Sequence, residues 1–172
     1  MGTISFDRLL LQTAFCCMAC DGNIDKKEVA LIKKLCEKSP VFRNFDFKKE
    51  INALVGRINA NGKDFFNYYF GLLKNSNLTN EEELTLIEFA VETIKADELI
   101  EYSEIKFFKA IRHNLKLSDE QILAKRDDIE FWLEEDISTE SNIDKVINLY
   151  LEVANLPQFE LISTTDVELV QN

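Results

Sequence analysis

Cys20-Asp21-Gly22-Asn23-Ile24-Asp25-Lys26-Lys27-Glu28 closes one apolar run and opens a second, periodic one. Moved forward by 76 residues, it falls on Ala96-Asp97-Glu98-Leu99-Ile100-Glu101-Tyr102-Ser103-Glu104. Asp21 meets Asp97, Ile24 meets Ile100, Asp25 meets Glu101 and Glu28 meets Glu104. The flanks agree as well: Leu10 with Leu86, Ala14 with Ala90, Lys33 with Lys109. The run before the first corner holds Leu9, Leu10, Leu11, Ala14, Phe15, Cys16, Cys17, Met18 and Ala19. It is apolar nearly all round, which marks a buried helix. The run before the second corner holds Leu84, Leu86, Ile87, Phe89, Ala90, Val91 and Ile94 and reads the same way. Asp21-Gly22 stops the first helix, since Gly is the usual residue just past a helix end. Asp25 then reads as an N-cap with Glu28 completing a capping box. The pattern predicts two helix–corner–helix units, 6–38 and 82–114, whose first helices pack together at the centre.

The rest of the chain continues in helical periods. Asp46 caps a helix carrying Phe47, Ile51, Leu54, Val55 and Ile58, and 59–62 reads as a turn. Phe65, Phe66, Tyr69, Leu72 and Leu73 form the core stripe of the next helix; Tyr68 and Phe70 fall off it and face a neighbouring helix or a partner. Thr79 with Glu82, or Asn80 with Glu83, opens the helix that runs to 96. Further helices are predicted over 102–115, from Ser118 with Gln121 onward through Ile122, Ile129, Trp132 and Leu133, and over 142–155. The last has Ile143, Val146, Ile147, Tyr150, Leu151 and Ala154 on one face, and Pro157 closes it. The expected fold class is therefore all-α: a single bundle of about seven or eight helices with an internal pseudo-two-fold repeat. Residues 1–156 form that domain, and 157–172 read as an extended tail, a small hairpin or a frayed end.

The chain has 172 residues, 46% of them apolar, and only seven Gly and Pro together, so it is globular and able to bury a core. Its net charge of -11 argues against nucleic acid as a direct partner, because phosphate binding needs clustered Lys and Arg. It suits solubility, cations or a basic protein surface. Cys16, Cys17, Cys20 and Cys36 do not form a disulfide framework, since neighbours on a helix point apart. They read as small buried apolar residues in a reduced, cytoplasmic compartment. Zinc would need a fourth soft ligand, and His113 is the only histidine. Arg8 followed by an apolar run and Cys20 loosely mimics a lipoprotein signal. The recurrence of that run before the second corner, where nothing is cleaved, makes 4–20 a core helix instead. It is too short to span a bilayer, so direct membrane insertion is not expected.

Two readings compete for the acidic corners. Asp21, Asp25, Glu28, Asp97, Glu101 and Glu104 offer six carboxylates, and Ca²⁺ or Mg²⁺ wants several oxygen ligands converging on a point. Local structure explains much of the same pattern, because acids cap helices and suit the dipole of a first turn. Asp21 and Asp97 resist the local account, since they sit at helix C-termini where the dipole disfavours them. Glu101 resists it too, being a poor N-cap residue. The corner is not an EF-hand loop, for Gly22 follows Asp21 directly and Ile32 stands at the twelfth place. An enzyme is not expected. The chain lacks a phosphate-binding glycine loop, a His-Glu-x-x-His pattern and a Gly-x-Ser-x-Gly elbow. A Cys-His nucleophile would need His113 beside a cysteine of the apolar run.

An apolar helix ending in Ala-Asp-Gly, then Ile or another apolar residue two places on, an acidic residue and a Glu three further, resembles the TerB-like family of tellurite-resistance proteins; the same pattern occurs in the TerB-like segment of some DnaJ-type co-chaperones. The residues that carry the resemblance are Ala19 to Glu28 in the first corner, Ala96 to Glu104 in the second, and Leu115-Lys116-Leu117-Ser118-Asp119-Glu120-Gln121-Ile122 after it. It covers about 6–135. Cys20 stands where the family has Ala, and Glu98 where it has Gly. The resemblance implies an all-α bundle with a duplicated core and an acidic surface that binds divalent metal. It also implies a bacterial stress-response setting and protein partners, including a membrane-associated complex. The alternative expectation is a purely structural protein–protein interaction module that docks through the Tyr68/Phe70 region and the tail.

Overall fold

The computed structural model describes residues 4–20, 26–38, 42, 46–96 and 99–134. Within them lie eight α-helices and no strand. They are α1 (Phe6–Ala19), α2 (Lys26–Lys38), α3 (Phe47–Ala60), α4 (Gly62–Asn75), α5 (Asn80–Lys95), α6 (Tyr102–His113), α7 (Asp119–Leu123) and α8 (Glu130–Leu133). The helix expected over 142–155 and the tail of 157–172 lie outside the described residues.

Every residue from Leu9 to Cys20 is buried, so α1 is the central strut that its composition predicts. Along this buried stretch polar side chains depend on partners within the protein. The Thr13 hydroxyl donates to Leu9 O at 2.8 Å and accepts from the Tyr69 hydroxyl of α4 at 2.9 Å. Gln12 Nε2, also buried, has no hydrogen-bond partner among the described residues. The most extensive helix pairing joins α1 to α5. Each second helix, α2 and α6, packs on both α1 and α5. Exchanging α1 with α5 and α2 with α6 therefore maps these contacts onto themselves, which is the pseudo-two-fold relation the repeat predicts.

Two additions break that symmetry. The α3–α4 hairpin packs on α1, while α8 packs on α6. Phe66, Tyr69 and Phe70 of α4 surround Phe107 of α6 at ring-centroid distances of 5.4 to 6.4 Å. Phe108, one residue on, meets Trp132 of α8 edge to face at 5.3 Å. Phe107 and Phe108, about 100° apart around one helix, thus tie the hairpin to the C-terminal part of the described bundle.

Three boundaries differ from the sequence reading. The turn expected at 59–62 shrinks to Asn61, whose N–H donates to Arg57 O at 3.3 Å while its side chain accepts from Asp64 N at 3.2 Å. A single extended residue thus ends α3 and caps α4, and no loop is needed. The helix expected to run to 115 stops at His113, because the buried Glu83 carboxylate accepts the N–H groups of Lys116 and Leu117, both at 2.9 Å. The helix expected from Ser118 through Leu133 breaks into α7, a 3-10 turn at Asp127–Ile129, and α8. At the break the Arg126 guanidinium grips Asp128 through two nitrogens, at 2.8 and 2.7 Å, and Glu92 of α5 through the third, at 2.6 Å. These charge-assisted bonds draw Arg126 out of helical geometry. Of the two alternative caps for α5, Thr79 with Glu82 forms.

Candidate functional site

Of the six corner carboxylates, Asp21, Asp25 and Asp97 lie outside the described residues. Glu28, Glu101 and Glu104 are described, and they do not behave alike. Glu28 and Glu104, equivalent in the repeat, are both buried, at 7% and 4% exposure, in the first turns of α2 and α6. Glu101 faces solvent. The Glu104 carboxylate turns back and accepts the Glu101 backbone N–H at 2.8 Å. This is the return half of a capping box, and it satisfies a donor that the start of a helix leaves orphaned. The expectation that capping explains the second corner poorly is therefore corrected. Glu101 is a weak cap by residue type, yet its backbone sits in the extended N-cap conformation, and Glu104 supplies the stabilising bond. Among the described residues, no three His, Cys, Asp or Glu side chains converge as a metal-holding group.

The second corner presents apolar surface instead. Leu99 is 66% exposed and Tyr102 58%, with Ile100 exposed between them. The Lys106 ammonium lies 4.7 Å from the Tyr102 ring centroid, one helical turn along. Glu101 stands in the middle of this group with its side chain in water. Among the described residues of this corner, one outward acid is flanked by three exposed side chains with large apolar surface.

The approach to this corner is braced. Lys95, the last residue of α5, pairs with Asp128 and lies 5.9 Å from the Trp132 ring centroid. The Arg126 fork, seconded by Lys95, holds the Asp128 carboxyl well below the usual carboxylate range. Neither this brace nor the Glu83 clamp was expected from the sequence. In the sequence Glu83 stands only as one possible capping acid. Its partners lie 33 and 34 residues away, and nothing in the local pattern names them.

Burial disfavours the thiolate at Cys16, Cys17 and Cys36. All four cysteines are buried thiols, and the Cys20 thiol donates to Cys17 O at 3.1 Å. Burial raises the thiol pKa of Cys16 and Cys17 well above normal, with Cys20 adding to the first and Cys16 and Glu104 to the second. Burial also pushes Cys36 up to about 12, with help from Glu37. His113 is exposed on the last turn of α6, in a different setting from any of these thiols. No helix among the described residues is long and apolar enough to cross a membrane. Off the core stripe, as the periodicity indicates, Phe70 packs on Phe107, while Tyr68 lies beneath the Arg57 guanidinium at 4.5 Å. Compared with family models, with curated proteins and with solved structures, the chain matches none.

Proposed function

We propose that this chain is a non-enzymatic, TerB-like helical domain that works in a cytoplasmic stress-response assembly by docking a basic partner on its second corner. The observation that carries the reading is the exposed set Leu99, Ile100 and Tyr102 around the outward Glu101. Apolar and aromatic side chains supply contact area, and the acid supplies orientation toward a cation on the partner. A hard divalent ion demands converging oxygens. At this corner one described carboxylate is turned inward on the backbone and the other outward to water. The arrangement favours a basic, amphipathic protein segment over Ca²⁺ or Mg²⁺. The stress-response setting rests on the resemblance of the two corners to the TerB-like pattern.

The test is a set of amide NMR titrations of the full chain. One uses a model amphipathic peptide of Lys and Leu; the others use CaCl₂ and MgCl₂. The peptide is expected to shift the amides of 99–106, less so at high salt and less so in Glu101→Lys. Saturable shifts with either ion, and none with the peptide, would replace this reading with the cation site. No shift with any of the three would leave the corner a plain capped turn.

A further inference from the structure

The chain is acidic as a whole but not throughout. Residues 26–75 contain eleven of the 20 Lys and Arg and only five of the 31 Asp and Glu. Part of that excess lies on the α3–α4 hairpin, where Lys49, Arg57, Lys63 and Lys74 are exposed alongside two exposed acids, Asp46 and Asp64. Among these cations Arg57 covers Tyr68, which remains 45% exposed. Gly56 and Gly71 lie beside this pair, and a Cβ at either would meet nothing within 4 Å. Internal packing therefore does not require those glycines, although each weakens its helix by about 0.5–1 kcal/mol relative to Ala. A cationic face with an aromatic centre and open space above it fits an acidic segment that carries apolar side chains.

The same chain contains such a segment. Residues 135–172 hold eight acids against one Lys. Within them, Phe159, Leu161, Ile162, Val167, Leu169 and Val170 alternate with Glu160, Asp166 and Glu168. The distance suits a tether. The described part ends just after α8, which packs on α6, and α6 packs on α4 through Phe107. Crossing one helix requires roughly 20 Å at interaxial spacings of 8–10 Å. With 142–155 helical, as its periodicity predicts, the 23 residues of 135–157 still span up to about 50 Å. A tether of this kind holds its end at millimolar effective concentration. We infer that the basic–aromatic face of α3–α4 is a docking surface whose occupant is the acidic segment 158–172 of the same chain. This face is separate from the second corner, so the inference stands or falls independently of the docking function proposed there.

The experiment uses the full chain with Thr165→Cys carrying a nitroxide label. The native thiols are buried, so the label goes to the introduced cysteine, and mass spectrometry checks that one label is bound. At low salt, amide signals of 53–60 and 68–75 are expected to lose most of their intensity. They should regain it in 1 M NaCl, where the screening length falls to about 3 Å, and in the double variant Lys49→Glu, Lys74→Glu. Those two side chains are exposed, so the variant keeps its core, and an unchanged spectrum elsewhere verifies this. Three results would overturn the inference. One is no broadening on this face. Another is broadening that survives the charge reversal. The third is broadening of unlabelled ¹⁵N protein mixed with labelled ¹⁴N protein, which would make a second copy the occupant.

Discussion

Replacing Glu104 separates a capping glutamate from a ligand. Glu104 is 4% exposed, and its carboxylate accepts the Glu101 N–H at 2.8 Å. A hydrogen bond to a charged acceptor contributes about 1.5–3 kcal/mol net. An acid in a first helical turn adds about 0.3–1 kcal/mol through the dipole. Glu101 is exposed, so water can take over part of the lost bond, which puts the cost of Glu104→Ala near 2–3 kcal/mol. For a chain of this size each kcal/mol moves Tm by about 2–4 °C, so Tm should fall by roughly 5–10 °C. Glu104→Gln retains an acceptor and loses the charge, and should cost about 1 kcal/mol. Glu101→Ala, exposed and a weak cap, should cost about 0.5 kcal/mol or less. The assay is thermal and urea unfolding followed by circular dichroism, in EDTA and again in millimolar CaCl₂ or MgCl₂. A cation bound at a hundred times its Kd would stabilise the parent by about 2.7 kcal/mol. Such a gain, vanishing in Glu104→Ala, would refute the capping account. So would a Glu104→Ala protein within about 0.5 kcal/mol of the parent in EDTA, since a buried hydrogen bond to a charged acceptor and its dipole contribution should be worth several times that.

Two further outcomes follow from the long-range carboxylates. Glu83→Ala removes the acceptor of two backbone N–H groups and should cost about 2–4 kcal/mol; hydrogen exchange at Lys116 and Leu117 should accelerate more than at Ile87 or Ala90, and uniform acceleration would count against a local clamp. Asp128 has its folded pKa depressed by Arg126 and Lys95, so its contribution is present above the ordinary carboxylate pKa and is lost as pH falls through the folded value. Because the pair is partly exposed the effect is modest, and Asp128→Asn should flatten the loss of stability below about pH 4; an acid limb unchanged in that variant would assign the loss to other groups.

The sequence by itself determined the helices and their centre. Period, caps and breakers act within one or two turns, so Asp46, Thr79 and Ser118 announce helix starts that the structure places where expected. The 76-residue echo carried one long-range fact, because two predominantly apolar helices in equivalent positions bury most readily against each other at the centre. Tertiary structure decided what the acids do. Glu28, Glu101 and Glu104 look alike as carboxylates in a corner, yet two turn inward and one outward. That choice depends on which helix face meets the core. Glu83 is one acid among three in a first turn until Lys116 and Leu117 are brought beside it. The break at Arg126 likewise needs Glu92 from another helix. A helix start is a local event, but a carboxylate's partner is chosen by packing, and packing joins residues that the chain keeps far apart.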